Sequence, residues 1–137
     1  MFAIARETID VRTVEESVRG EGFGGVVTFA GVVRADENGR AVEMLSYEAH
    51  EAMAVETFER IAGDLRARYG SLRVAIIHRA GDVAAGEVAV VVSVAAPHRR
   101  EAFAACGEAV DELKRSAPIW KKERYRDGGE EWRENRE

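Results

Sequence analysis

The sequence is poor in cysteine and has no long apolar run. Its single cysteine, Cys106, excludes an internal disulfide, and its place on the apolar side of a predicted helix favours a packed core thiol over a nucleophile. No apolar run approaches the roughly 18 residues of a membrane span, and the first residues lack the basic and apolar segments of a secretory signal. We therefore expect a cytoplasmic protein without a membrane segment.

Several familiar catalytic and cofactor motifs are also missing. The three histidines are scattered along the chain, and one cysteine cannot form a zinc site. The glycines between positions 20 and 25 precede a predicted strand instead of opening a helix, so they form neither a P-loop nor a dinucleotide fingerprint. No serine lies at a sharp strand-to-helix turn, where a serine nucleophile would be expected. We expect no metal and no cofactor.

The composition is that of a globular protein. Of the 137 residues, 46% are apolar and 33% are charged, and the length suits a single domain over residues 1–137. The polar residues from about position 124 onward, with Gly128 and Gly129 as a hinge, predict a flexible C-terminal tail whose Trp132 docks onto another surface. The formal net charge of -5 argues against nucleic-acid binding.

Hydrophobic periodicity and turn residues predict an alternation of strands and helices. The predicted strands cover residues 2–5, 26–34, 42–47, 72–79, 88–94 and 118–123, and the predicted helices cover residues 13–18, 51–68 and 99–115. A capping box at Thr13 opens the first helix, residues 26–34 are predicted to be a central strand, and Asn38-Gly39 predicts a tight turn. This order indicates an α+β fold, a two-layer sandwich with a mostly antiparallel sheet and the helices packed on one side.

The chain contains few lysines and uses arginine for most of its positive charge. The sequence has 17 arginines but only three lysines, and Lys114, Lys121 and Lys122 fall within nine residues. A lysine retained in such a sequence indicates a position where a guanidinium cannot replace a compact amine, which can lose its proton when it is desolvated. The lysines are therefore the first candidates for catalysis.

Helix geometry favours Lys114 among the three. An apolar stripe at Phe103, Cys106, Val110 and Leu113 predicts one buried face, and Lys114 lies only about 20° from Phe103 around the helix axis. Burial would lower the pKa of the amine and prepare it for acid/base or nucleophilic work. The alternative is that Lys114, in the last helical turn, extends to solvent and interacts with the helix dipole.

The same part of the chain has the features of an anion site. Residues 97–126 carry a local charge of +3, whereas the remainder carries -8. His98 and Arg99 lie where a strand ends and a helix begins, so free backbone N–H groups there would help to hold a phosphate, and Arg34 ends another strand. The alternative for His98 and Arg99 is a solvated helix start without a ligand. Alternation along the last strand places Lys121 and Lys122 on opposite faces.

Short segments in a specific order extend over nearly the whole chain. They are Gly24-Gly25-Val26-Val27-Thr28-Phe29 with Gly31 and Arg34, His78-Arg79-Ala80-Gly81, Gly86-Glu87, Ala96-Pro97-His98-Arg99, Leu113-Lys114, Ala117-Pro118-Ile119-Trp120-Lys121-Lys122-Glu123, and Trp132. Each segment is weak evidence alone, but their order and spacing are specific. With them, the chain resembles the large, catalytic subunit of molybdopterin synthase.

The resemblance implies an α/β hammerhead-like fold and a sulfur transfer. In that family, a small ubiquitin-like sulfur-carrier subunit inserts its C-terminal Gly-Gly tail, which ends in a thiocarboxylate, into a pocket on the large subunit. Two sulfurs delivered in this way convert cyclic pyranopterin monophosphate into the dithiolene of molybdopterin. The large subunits form a homodimer with a small subunit at each far end, so the implied assembly is a heterotetramer.

The resemblance also implies the residues of the site. Its catalytic lysine pair corresponds to Lys114 and Lys121, and its contacts to the pterin substrate correspond to Arg34, His98, Arg99, Lys122, Glu123 and, in the tail, Arg136. We assign acid/base work to Lys114 and the orientation of the thiocarboxylate to Lys121. Which lysine attacks, protonates or only binds stays open at this point.

Two other functions also stay open. A non-catalytic scaffold would hold an anionic ligand or a partner's tail, and it would tolerate Lys114→Arg, whereas an enzyme that uses the amine would not. A small RNA-binding α+β domain is the third reading, although the predicted strands lack an aromatic pair for base stacking.

Overall fold

The structure is a computed structural model, and it describes residues 1–134. The elements, in chain order, are β1 (Phe2–Ala5), α1 (Val11–Val18), β2 (Gly25–Val32), β3 (Asp36–Glu37), β4 (Arg40–Ala49), α2 (Glu51–Tyr69), β5 (Arg73–Arg79), β6 (Gly81–Ala84), β7 (Val88–Ala96), α3 (Arg99–Ser116), β8 (Ile119–Tyr125) and β9 (Glu130–Glu134). Among these described residues, every helix is too short or too polar to cross a membrane.

The larger hydrophobic core surrounds a four-stranded sheet with the order β1-β5-β7-β2. Strand β7 lies inside this sheet, and eight of its nine residues are buried. They are buried because helices cover both faces: α1 packs its Val14 and Val18 on one face, and α2 and α3 pack on the other. A strand covered on both faces reads as a continuous apolar run, which is the pattern of residues 88–96.

A second sheet has the order β3-β4-β8-β9, and β6 also pairs with β4. Strand β4 pairs with β8 along its length, and Tyr47 lies opposite Lys121. The tight turn between β3 and β4 is confirmed, since Asn38 and Gly39 both have positive φ (52° and 81°). This second sheet supplies one wall of the candidate site, and the four-stranded sheet supplies another.

The α+β class is confirmed, and the structure corrects four details. Strand β2, expected in the centre of a sheet, lies at an edge because only β7 pairs with it. Helix α1 begins at Val11, not Thr13, since the Asp10 carboxylate accepts hydrogen bonds from the backbone N–H groups of Arg12 and Thr13. There are two sheets in the described residues instead of one, and α1 lies on the opposite face from α2 and α3.

The residues expected as a tail from about position 124 are, as far as Glu134, the end of β8, a turn and strand β9. The two strands pair in an antiparallel register from Trp120 opposite Glu134 to Arg124 opposite Glu130. Gly128, expected as part of a hinge, has a φ of 90° and belongs to the turn that reverses the chain. Ladder hydrogen bonds thus bring Arg133 next to Lys121, which composition alone did not indicate.

Two glycines hold the start of α3 close to β2. A Cβ atom on Gly25 would lie 2.9 Å from the backbone nitrogen and Cα of Arg99, a distance that no side chain tolerates. The Gly24 N–H donates a hydrogen bond to the Pro97 carbonyl oxygen at 3.2 Å. The glycine pair therefore sets the position at which His98 and Arg99 enter the helix.

Candidate functional site

A pocket of about 290 Å³ lies where the C-terminal end of α3 meets β8, β4 and the end of β2. The charged side chains that line it are those of Arg34, Glu37, Lys114, Lys121 and Glu123. Its floor includes Gly31, where a Cβ atom would lie 2.6 Å from Cγ1 of Val90. Gly31 lies beside a bulge in the β2–β7 pairing. Because it has no side chain, the backbone can lie close to Val90 at this point of the pocket wall.

Lys114 reaches this pocket from the last full turn of α3, and it is half-buried. The helical stripe that predicted its burial is only partly right. Cys106 and Leu113 are buried as expected, but Phe103 is 65% exposed because the face of α3 against the sheet consists mainly of alanines such as Ala105. Lys114 lies at the edge of that face, and it lines the pocket.

Lys121 is held by a buried network at the back of the pocket. Its Nζ lies 3.7 Å from Oε1 of Glu123, whose side chain is 1% exposed, while the Lys121 side chain is 13% exposed. The other carboxylate oxygen accepts hydrogen bonds from the Tyr125 hydroxyl and, at 3.1 Å, from Nε of Arg133. Because a buried carboxylate needs such partners, Glu123 and its neighbours anchor Lys121 in one position. Glu123, predicted to contact the substrate, thus also positions a lysine.

Tyr47 and His78 form the apolar rear of the site. Their rings meet edge to face with centroids 4.9 Å apart. Burial, and then the negative charge of Glu123, raise the pKa of Tyr47 to about 12. Burial is also the main reason why the pKa of His78 falls to about 4; the hydrogen bond to the Arg79 carbonyl opposes this fall, and the charge of Lys114 contributes to it. Both side chains are therefore neutral at physiological pH.

Arg34 lies at the mouth of the pocket, directly after β2. Its guanidinium donates to Oε2 of Glu37 at 2.8 Å, and its side chain is 60% exposed. Two backbone hydrogen bonds hold the preceding residue, since the Val33 N–H donates to the Glu87 carbonyl and the Gly86 N–H donates to the Val33 carbonyl. Arg34 is therefore an anchored but accessible cation, as an anion contact requires.

His98 and Arg99 lie elsewhere, at the exposed N-terminal end of α3. Arg99 and Lys114 are 15 residues apart on one straight element, which corresponds to about 22 Å along the helix axis. The two ends of α3 therefore cannot meet in one pocket of the same chain. The structure does not bring the predicted phosphate contacts His98 and Arg99 together with the lysines.

A further predicted substrate contact, Lys122, lies outside the pocket. Lys122 lies on the other face of β8, as the strand alternation predicted, with its Nζ 3.5 Å from Glu130 and 5.5 Å from the ring centre of Trp132. Lys122 and Trp132 thus form a cation–π contact on the outer surface of the second sheet. Arg136 lies outside the described residues.

Sequence reasoning gave no role to several side chains that shape the site. Tyr47, Tyr125 and Arg133 belong to strands that are adjacent only after folding, and no local pattern marks them. His78 is different, because it belongs to one of the sequence segments that supported the family resemblance. That segment was the available signal for a residue behind the pocket.

A larger cavity of about 370 Å³ lies between α2 and α3. Four of its charged side chains pair with one another, Arg68 with Glu108 at 2.7 Å and Arg115 with Glu112 at 2.8 Å. None of the candidate residues lines it. Over residues 1–134, moreover, no group of three or more His, Cys, Asp or Glu side chains has the arrangement to hold a metal ion. The pocket with the two lysines is therefore the candidate site.

Comparisons with known proteins identify the family of the chain. The model of the family described as "MoaE protein" matches residues 4–116. The molybdopterin synthase catalytic subunit 1 of Aedes aegypti is 41% identical over 134 residues, which is 96% of this chain and 86% of that protein. The molybdopterin synthase catalytic subunit of a Nostoc species is 41% identical over 132 residues, 96% of this chain and 80% of the relative.

A solved structure gives the same result for the fold. The crystal structure of molybdopterin synthase from Staphylococcus aureus superposes with a TM-score of 0.93 at 34% identity, and the match covers 96% of each chain. The family match covers most of the sequence, and the superposition includes both sheets and the helix that carries Lys114. The chain therefore belongs to the MoaE family, the family of molybdopterin synthase catalytic subunits.

Proposed function

We propose that this protein transfers sulfur from the C-terminal thiocarboxylate of a small ubiquitin-like partner to cyclic pyranopterin monophosphate, which forms the dithiolene of molybdopterin. One observation carries the proposal: Arg34, Lys114 and Lys121, from three separate parts of the chain, line one pocket. Both the thiocarboxylate and the substrate phosphate are anions, so a pocket with three cations suits the two reactants together.

The reaction requires an acid that protonates the oxygen leaving the pterin side chain. The thiocarboxylate sulfur forms a bond to a side-chain carbon of the pterin while that carbon loses its bond to oxygen. The departing oxygen takes a proton, and the half-buried ammonium of Lys114 supplies it. Water then cleaves the acyl–sulfur bond, which releases the partner as a carboxylate and leaves the sulfur on the pterin. Two such rounds provide both sulfurs.

Lys121 has a different task because its surroundings differ. It is tied to the buried Glu123 carboxylate, which in turn binds Arg133. A cation in a fixed position suits the orientation of the thiocarboxylate and the stabilisation of the negative charge on its oxygen. Lys114 instead lines the pocket with the neutral Tyr47, and its charge acts on the neutral His78.

A second copy of the chain would complete the site. His98 and Arg99 are exposed at the far end of α3, and the start of a long helix is a favourable phosphate site. Since these residues cannot reach the pocket of their own chain, we propose that the homodimer places them beside the Arg34 and Lys114 of its other subunit. With a small sulfur-carrier subunit bound to each large subunit, the assembly is a heterotetramer.

Reconstitution of the reaction tests this function. The purified protein is mixed with the thiocarboxylated partner and cyclic pyranopterin monophosphate, and mass spectrometry detects the dithiolene product. We expect wild-type protein to form it, and Lys114→Ala and Lys114→Arg to slow its formation by about 100-fold or more, since a positioned acid contributes about that much. Binding of the partner should stay within about threefold of wild type, because a single half-buried pocket contact is removed.

A matched control is the neighbouring cation on the same helical turn. Arg115 is 71% exposed and pairs only with Glu112 among the contacts described, so Arg115→Ala should leave the rate within about twofold of wild type. A wild-type protein that binds both reactants but forms no dithiolene would instead support the non-catalytic scaffold. Equal loss in Lys114→Ala and Arg115→Ala would show that the net charge of α3 matters and the amine does not.

A further inference from the structure

His78 is a buried titratable residue to which the proposed reaction gives no role. It lies near the end of β5, between Ile4 of β1 and Val90 of β7, and its side chain is completely buried. Val90 lines the pocket, and so does Tyr47, whose ring packs against the imidazole. His78 therefore lies immediately behind the pocket wall instead of within the general core.

One hydrogen bond determines the tautomer of this imidazole. Nδ1 lies 2.7 Å from the carbonyl oxygen of Arg79. A carbonyl oxygen can only accept, so Nδ1 carries the hydrogen and donates it. A neutral ring with its proton on Nδ1 has an unprotonated Nε2, which can only accept. The group that faces Nε2 must then be a donor.

Lys114 lines the pocket in front of this imidazole. Its charge acts directly on the ring and is one of the causes that lower the pKa of His78. The strand partners Ile4 and Val90 are uncharged, and Tyr47 is neutral. The remaining charged groups around the pocket are Arg34, Glu37, Lys121 and Glu123.

We propose that His78 is a positioning residue for Lys114, whose amine donates a hydrogen bond to the unprotonated Nε2. The neutral ring orients the amine without adding a negative charge, so the ammonium remains able to give up its proton. A carboxylate in the same place would hold the ammonium proton more firmly. The two lysines of the pocket are thus held by two different kinds of acceptor, which matches their different tasks.

The low lysine content makes this proposal directly measurable. With ¹³C-labelled lysine, the side-chain NMR spectrum contains only three residues, and Lys121 and Lys122 serve as internal controls. In His78→Met, which fills the space without an acceptor, we expect the Lys114 signal to titrate at a pH lower by about half a unit or more. His78→Gln restores an acceptor near the position of Nε2, and its Lys114 signal should titrate as in wild type.

The kinetic arm rests on the proposed function, whereas the NMR arm does not. In the reconstituted assay, His78→Met should lower kcat by about tenfold with little change in KM, and His78→Gln should restore most of the rate. An equal Lys114 titration in wild type and His78→Met overturns the proposal whatever the activity. A Lys114 shift without any dithiolene in the wild type would leave the positioning role intact and contradict the sulfur transfer instead.

A reciprocal experiment covers the case in which His78→Met does not fold. The ¹⁵N signals of the His78 ring are compared in wild type and Lys114→Met. We expect the unprotonated Nε2 signal to move when its donor is removed, while Nδ1, bound to the Arg79 carbonyl, stays in place. An Nε2 signal that does not move would overturn the proposal.

Discussion

The two ends of helix α3 both carry basic residues, but they lie in different surroundings. At the N-terminal end, His98 and Arg99 are exposed, and the two glycines at the start of β2, Gly24 and Gly25, allow the backbone to approach closely. At the C-terminal end, Lys114 lies half-buried beside a neutral histidine and opposite Lys121. The N-terminal end is therefore accessible to a ligand, whereas the C-terminal end places a lysine amine in a partly buried pocket.

This difference supports the proposal that the site is assembled from two subunits. A rigid helix of 18 residues holds its ends apart at a constant distance, so no side-chain movement can join them. The N-terminal end offers backbone N–H groups and cations suited to a phosphate, and the C-terminal end offers the amine. A single helix can serve one reaction with both ends only if it contributes each end to a different pocket.

The largest effect expected for the exposed end comes from Arg99→Ala. Loss of a charge-assisted contact to a phosphate should lower kcat/KM by about 10-fold to 100-fold, mainly through KM. Initial rates of dithiolene formation at varied pterin concentration measure this. The matched control is Arg100→Ala, an exposed cation one position further along the helix, which should stay within about twofold of wild type.

If Arg99→Ala and Arg100→Ala lower kcat/KM equally, the effect comes from general electrostatic attraction and not from a specific contact of Arg99. Raising the salt concentration separates the same two effects, since general attraction between exposed charges weakens once the Debye length falls to a few ångströms. If Arg99→Ala retains the wild-type KM, the N-terminal end of α3 does not bind the phosphate.

A smaller effect is expected on the free energy of unfolding, and it comes from His78 near the C-terminal end of α3. The unfolded His78 takes up a proton below its ordinary pKa of about 6.5, whereas the folded side chain does so only near pH 4. The unfolded state thus binds more protons in this interval, and the free energy of unfolding falls by about 3 kcal/mol as the pH falls from 6.5 to 4. Below pH 4, this residue adds no further loss.

Urea unfolding of wild type and His78→Gln at several pH values measures that contribution. The variant should lack the part of the pH dependence that belongs to His78, so the two curves should converge toward pH 4. His98→Gln, at the exposed end of α3, is the matched control and should follow the wild-type curve. Parallel curves for wild type and His78→Gln would show that the buried imidazole does not resist protonation.

The positions of the basic residues within their helix and strand were predictable from the sequence, because they depend on residues close together in the chain. The rarity of lysine and the helical spacing led to Lys114, and the alternation along residues 119–123 correctly separated Lys121 from Lys122. The same chain order placed His98 and Arg99 at a helix start. These features follow from periodicity within a single element, which sequence shows directly.

The rest depends on contacts between distant segments. The periodicity of α3 suggested that Phe103 is buried, but alanines allow close helix packing and turn Phe103 outward. The apolar β2 was expected inside a sheet, yet strand order follows from pairing and not from composition. Arg133 reaches Glu123 only because β9 pairs with β8, and no pattern in the polar C-terminal residues indicated that strand.

Mixed dimers test most directly the claim that the two ends of α3 serve different pockets. Lys114→Ala and Arg99→Ala chains are unfolded together, refolded at equal ratio and assayed for dithiolene at a pterin concentration well below the wild-type KM, where each variant alone has little activity. If one chain supplies the amine and the other the phosphate contact, half of the dimers contain one intact site, and the mixture regains about a quarter of the wild-type activity. A mixture no more active than the average of the two separate variants would contradict a pocket shared between subunits.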